Sequence, residues 1–159
     1  MVYIPKAKRT VWGKETDYTP QNDLEYLVMK YPNKPWCYAS LARNPNITME
    51  FIDANAELRN KMQYYDGVAG GLSQNVNLTM DFLKKYYDFF DIGLPLPPYP
   101  SYIMPLAWKW RYISRNTNMT KEIIEENIDN CNWDYAELLH NPHIDCEFIM
   151  KHADKFDFH

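Results

Sequence analysis

The stretch WCYASLARNPNITMEFIDAN, residues 36–55, decides how this chain is read. Tyr38, Leu41 and Ala42 are spaced along one face of a short helix. Asn44-Pro45-Asn46 ends that helix: proline cannot continue it, and asparagine accepts turn conformations. Thr48 then stands where an N-cap belongs, with Glu50 in the following first turn, where a carboxylate favours the helix dipole. Ile47 before the cap and Ile52 four positions into the helix form a hydrophobic staple. The segment therefore encodes two short helices about a capped turn, with Asn55 near the end of the second.

The same text recurs. WKWRYISRNTNMTKEIIEEN fills residues 108–127, and WDYAELLHNPHIDCEFIMKH fills residues 133–152. A degraded copy, VAGGLSQNVNLTMDFLKKY, fills residues 68–86. The caps align as Thr48, Thr79, Thr120 and Asp145, and the first-turn acids as Glu50, Asp81, Glu122 and Glu147. The apolar columns align as Leu41, Leu72, Ile113 and Leu138, and as Phe51, Phe82, Ile123 and Phe148. A half-copy, Asp23 to Met29, precedes them, its Glu25 standing one period of about 25 residues before Glu50.

One helix pair cannot bury both of its faces, whereas stacked pairs can. The expected fold is therefore all-α: short helical hairpins with a period of about 25 residues, stacked as a small solenoid. A compact irregular helical bundle is the alternative, since insertions could bend the stack. The expected organisation is a single domain over 1–159. Residues 1–34 form an N-terminal segment and capping half-repeat, and 35–60, 61–90, 106–130 and 131–159 are the units. Residues 91–105, DIGLPLPPYPSYIMP, are a proline-rich insertion through which no helix can run. The glycines from Gly67 to Gly71 read as a second break, displacing the aromatic helix of that unit. The ending Lys155-Phe-Asp-Phe158 resembles the opening of another unit. Trp36, Trp108 and Trp133 occupy one column and are expected to be largely buried between consecutive units.

Composition narrows the function classes. Of 159 residues, 46% are hydrophobic, which supports a packed core and excludes outright disorder. The formal charge of −4 argues against a generic phosphate-backbone binder. Lys109, Arg111 and Arg115 around Trp108, Trp110 and Tyr112 still offer a local nucleic-acid reading over 108–115. No apolar run reaches the length of a membrane helix, and Met1–Thr10 has no following apolar segment of the secretory kind. Cys37, Cys131 and Cys146 are odd in number and widely spaced, as in a reducing compartment.

The repeat pattern, W-x-[YW]-x-x-[LI]-x-x-N-P-N-I-T-x-E-[FI]-I-x-x-N, resembles short tandem repeats in uncharacterised proteins of giant DNA viruses of amoebae, of the mimivirus and marseillevirus kind. The resemblance rests on Trp36–Asn55, Trp108–Asn127 and Trp133–His152. It implies a virus-encoded protein that acts in the infected host cytoplasm or is carried in the virion, and is not secreted. It supplies no chemistry to transfer residue by residue.

The residues that could carry chemistry all fall into repeat columns. His140, His143, Cys146 and His152 match no zinc spacing, so no metal and no cofactor are expected. No nucleophile–base arrangement or phosphate loop is present, so no enzyme is expected. The sequons at Asn46, Asn77 and Asn118 are one repeat column whose threonine is the cap.

The expected function is a protein–protein interaction scaffold with a viral or host protein partner. The alternatives are a minor cement or bridging protein of the particle and an adaptor that redirects a host complex. The candidate partner-binding residues are Arg43, Gln74, Arg115 and His140, one per unit just before the first asparagine, which would make a single ridge able to dock carboxylates. The same residues could instead cap carbonyls at the end of the first helix. Tyr99 and Tyr102 belong to the proline-rich segment, which reads equally as a ligand for an aromatic groove or as a covered connector.

Overall fold

A computed structural model describes residues 9–11, 14–63, 66–86 and 108–157. The chain is predominantly helical. Among the described residues the departure from the all-α expectation is a short antiparallel hairpin near the N-terminus, β1 (Arg9–Val11) with β2 (Lys14–Thr16), in which Arg9 faces Thr16. The helices follow in order: α1 (Asp23–Lys30), α2 (Tyr38–Arg43), α3 (Met49–Ala54), α4 (Ala56–Gln63), α5 (Asp66–Ser73), α6 (Met80–Lys85), α7 (Trp110–Ser114), α8 (Lys121–Glu126), α9 (Tyr135–Leu138) and α10 (Cys146–Lys151). A single 3-10 turn, Ala153–Lys155, closes the described chain.

Four helix pairs are built alike: α2/α3, α5/α6, α7/α8 and α9/α10. In each, a short first helix ends at an asparagine turn and a cap opens the second. Thr48, Thr79, Thr120 and Asp145 are the N-caps of α3, α6, α8 and α10. Their side-chain oxygens accept the N–H of Phe51, Phe82, Ile123 and Phe148 at 3.1, 3.1, 3.5 and 2.8 Å. These helices span only four to eight residues, too short to hold alone, so their stability comes from the face each one buries. Leu41, Leu72, Ile113 and Leu138 line the core from the first helices. Phe51, Phe82 and Phe148 line it from the second, and Ile47, Leu78 and Met119 line it from the turns.

The glycines of the second pair do not break the chain. Helix α5 runs through them, packed most extensively on α2. The reason is space: a Cβ on Gly71 would stand 2.8 Å from Ala39 O and 3.0 Å from the Ala42 Cβ. Glycine here permits a close helix crossing rather than ending a helix. The extra helix α4 fills the gap between the first and second pairs.

The half-copy also differs from its expected register. The cap of α1 is Asn22, whose side chain accepts the N–H of Glu25. Glu25 is thus the third helical residue, where Phe51 stands in α3, and not the second, where Glu50 stands. That single-residue shift turns the side chain by about 100° and puts Glu25 inside, fully buried, while Glu50 is exposed.

The tryptophan column is only partly as expected. Trp133 is 5% exposed, but Trp36 and Trp108 are half-buried. All three indoles do one job at the rim of an interface: each donates Nε1–H to the backbone carbonyl of the residue capping the preceding helix. Trp36 reaches Tyr31 O at 2.9 Å, Trp108 reaches Tyr86 O at 3.0 Å and Trp133 reaches Asn127 O at 3.0 Å. Trp133 is additionally covered by Trp110, edge-on at 5.3 Å.

The proline-rich segment 91–105, with Tyr99 and Tyr102, lies outside the described residues, as does Phe158. Phe156 is buried against Tyr135 and Phe148. Among the described residues, no helix is long and apolar enough to cross a membrane.

Candidate functional site

The feature that recurs from pair to pair is the asparagine turn. The first asparagine accepts, through Oδ1, the N–H of the residue two further on: Asn46 on Asn44, Asn77 on Asn75, Asn118 on Asn116 and His143 on Asn141, all between 2.8 and 3.0 Å. This bond folds the turn and leaves the amide nitrogen of the first asparagine pointing at the pair before it.

There it meets carbonyls. Asn75 Nδ2 lies 2.8, 3.1 and 3.1 Å from the carbonyl oxygens of Ala42, Asn44 and Ile47. Asn116 Nδ2 donates to Ser73 O at 3.0 Å and Asn75 O at 2.9 Å. Asn141 Nδ2 lies 2.9, 3.2 and 3.1 Å from Ser114 O, Asn116 O and Met119 O. All three asparagines are buried, and the carbonyls they take belong to the end of a first helix and to the turn that follows it. The second asparagine works the outer edge: Asn77 Nδ2 donates to Pro45 O at 2.7 Å, and Asn118 Nδ2 donates to Leu78 O at 2.8 Å. His143 Nε2 takes that place in the fourth pair, 2.9 Å from Thr117 O. The second, third and fourth turns are thereby each stitched to the one before.

The ends of the second helices are served as regularly. Where Gly67 stands in the tryptophan column, the carbonyls of Ile52 and Asp53 at the end of α3 are taken instead by Arg59 Nη1, at 3.4 and 3.0 Å. A cation there complements the helix dipole. Ion pairs bridge neighbouring second helices: Lys85 to Asp53 at 2.7 Å and Lys151 to Glu125 at 3.0 Å. Burial works against the Asp53 carboxylate, but the bonds from Lys85 and Tyr86 outweigh it and hold its pKa below the ordinary value.

No family model matches this chain, and no curated protein or solved structure shows significant similarity to it.

The four residues of the expected ridge, Arg43, Gln74, Arg115 and His140, have different surroundings. Gln74 Nε2 turns back to Gly70 O at 3.0 Å, capping its own helix. Arg115 pairs with Glu137 of the next pair at 3.2 Å, beside Arg111 at 3.0 Å. Two guanidiniums, each about half exposed, converge on one carboxylate and join α7 to α9. Arg43 and His140 are exposed, and no hydrogen bond or ion pair joins their side chains to another described residue. The histidines and cysteines near the C-terminus form no group able to hold a metal ion among the described residues, and Cys37, Cys131 and Cys146 are free thiols.

One buried polar cluster was not anticipated. The Glu25 carboxylate accepts Tyr18 O–H and Gln21 N–H through Oε2, both at 2.8 Å. Through Oε1 it accepts Thr48 N–H at 3.0 Å and Thr48 Oγ–H at 2.8 Å. Burial pushes the Tyr18 hydroxyl pKa well up, so it remains a donor. Every lone-pair direction of the carboxylate is occupied, so the cluster is a joint between α1 and α3 and not a reactive centre. The sequence signal was Asn22, a cap residue equal to Asp23 and one position earlier, which sets the register that turns Glu25 inward.

Proposed function

We propose that this chain is a non-catalytic, helical-repeat scaffold that binds another protein, its pairs arranged as a small solenoid. The observation that carries this reading is the asparagine stitching: Asn75, Asn116 and Asn141 each satisfy the carbonyls of the preceding turn. A stack joined by the same bonds at each step holds its surface columns in fixed relation, and extended surfaces of that kind serve recognition. The ion pairs Lys85–Asp53, Arg115–Glu137 and Lys151–Glu125 and the Glu25–Thr48 bonds join neighbouring helix units, an arrangement suited to holding a shape. The likeness of the repeat to those of giant amoebal viruses makes a viral source, and a place in infected cytoplasm or particle, part of the same proposal.

The test is cross-linking of the tagged chain inside its native cell, followed by purification and mass spectrometry. One protein recovered in stoichiometric amount, cross-linked to residues on one face of the stack, is the expected result. Recovery with purified particles separates a particle component from a host-directed adaptor. A chain that comes out alone, or that turns over a substrate, would end the scaffold reading.

A further inference from the structure

Histidine is confined to one part of the sequence: His140, His143, His152 and His159, with none in the first three pairs. Two of them occupy columns that asparagine fills elsewhere. His143 stands in the column of Asn46, Asn77 and Asn118, and His152 in that of Asn55 and Asn127. An asparagine amide bonds alike at every pH. Asn55 and Asn127 each cap their own helix through Nδ2, on Phe51 O at 2.6 Å and Ile123 O at 2.7 Å. The imidazoles face the third pair instead. His143 Nε2 lies 2.9 Å from Thr117 O; a carbonyl only accepts, so Nε2 carries the proton and Nδ1 is left to take a second. His152 Nε2 is buried without a hydrogen bond, 3.7 Å from Glu125 Oε1, and its ring lies against Phe148 at 4.7 Å. At that distance neither neutral tautomer bonds the carboxylate, whereas a charged ring makes an ion pair with it.

We propose that the joint between α8 and α10 is a proton-sensitive lock: a proton on each of His143 and His152 holds the fourth pair more tightly on the third. The surrounding charges fix the sign. Around the two rings stand Lys121, Glu122 and Glu125 from α8, Asp145, Glu147 and Lys151 from the cap and body of α10, and Asp154 and Lys155 from the 3-10 turn, with Asp129 joined to Lys155. Each of these lysines is already paired: Lys121 with Asp145 at 3.0 Å, Lys151 with Glu125 at 3.0 Å and Lys155 with Asp129 at 2.6 Å. Among the groups named, carboxylates therefore outnumber cations where the new charge arrives. His152 also closes α10, and the C-terminus of a helix favours a cation. Lys151 holds Glu125 below the ordinary carboxylate range, and its own backbone N–H and the Thr120 hydroxyl hold Glu122 below it, with His143 adding to the effect. Both carboxylates thus stay charged over the range, about pH 5 to 8, in which imidazole changes charge. The proton favours the docked pair, so the gain is present at about pH 5.5 and lost as pH rises toward about 8. The device belongs to the stack itself and is independent of what the scaffold binds: acidification sets how firmly the surface of the fourth pair is held in line with the rest.

The test is amide hydrogen exchange on the full chain at about pH 7.5 and about pH 5.5, each amide referred to its intrinsic rate at that pH. The reporters in α10 are Phe148 and Ile149, whose N–H groups bond Asp145 Oδ1 and Asp145 O. Phe51 and Ile52 in α3, and Phe82 and Leu83 in α6, are their counterparts. Protection in α10 should rise by about fivefold at the lower pH, the effect of a cation gaining a partner at a helix end, while α3 and α6 stay level. Melting of the whole chain is a poorer gauge, because one pair can open without the others. His143→Asn together with His152→Asn restores the residues of the third pair's columns, and should keep the fold while abolishing the response. Glu125→Gln should remove the larger part of it. The proposal is overturned by protection in α10 that is level or falls at the lower pH, by a rise of equal size in α3 and α6, or by a full response in either variant.

Discussion

Glu25 and Thr48 are joined twice: the carboxylate Oε1 accepts the threonine backbone N–H at 3.0 Å and its hydroxyl at 2.8 Å. The same Thr48 Oγ accepts the Phe51 N–H at 3.1 Å as the cap of α3. A buried acid from the leading helix thus sits over the N-terminus of the next second helix, where the helix dipole favours negative charge. Glu25→Ala leaves several buried donors without an acceptor and should cost about 3 kcal/mol, with Glu25→Gln costing less. Thr48→Ala should cost more than Thr120→Ala, because the Thr120 cap serves one N–H and should be worth about 1 kcal/mol. Urea melts of the four variants give the order, and equal losses for the two threonines would contradict this coupling.

Asn116 tests the stitching. It is buried and donates to Ser73 O and Asn75 O while accepting Asn118 N–H. Asn116→Ala should destabilise by about 2–3 kcal/mol. Asn116→Asp should be worse although nearly isosteric, since a carboxylate keeps the turn bond but turns a second acceptor toward two carbonyls. Chemical denaturation decides between them, and an aspartate variant as stable as the wild type would disprove the donor role.

Gly70 and Gly71 are neighbours in α5 with opposite expected responses to alanine. At Gly71 the added Cβ meets backbone oxygen at 2.8 Å, so α2 and α5 must separate at a cost of about 1–3 kcal/mol, more than the helix-propensity gain of about 1 kcal/mol offsets. At Gly70 the nearest atom is on the Tyr112 ring at 3.4 Å, ordinary contact, so Gly70→Ala should be neutral or slightly stabilising. Thermal melts of both variants check the sign at each position.

Acid should loosen the joints between pairs. Asp145 is held below the ordinary carboxylate pKa by the Phe148 N–H and then by Lys121, and Glu125 is held below it by Lys151. A group with a lowered folded-state pKa contributes its stability above the unfolded value, about 4, and loses it as pH falls through the folded value. Tm should therefore be level near neutrality and decline below about pH 4. Asp145→Asn should flatten part of that decline, and an unchanged slope in the variant would rule out this carboxylate as a contributor.

The helix pairs were legible in the sequence because their signals are local. A cap, a staple and an asparagine turn act within one pair, so Thr48, Thr79, Thr120 and Asp145 could be placed from neighbouring letters. The first asparagine recurs through all four copies while the second becomes His143, yet from the sequence it reads only as a residue that accepts a turn. That it also joins one pair to the next was not readable, because Ala42 O and Asn75 Nδ2 meet only when the pairs lie side by side. Glu25 shows the same limit: moving the cap from Asp23 to Asn22 rotates a carboxylate from solvent into the core, a difference too small for a repeat alignment to register. The different surroundings of Arg43, Gln74, Arg115 and His140 were out of reach for the same reason. Position along the chain assigns a side chain to a column, but its partner is chosen by what the adjoining pair brings within reach, and Glu137 claimed Arg115. Bonding within a turn is written in the order of residues; bonding between turns is decided by packing.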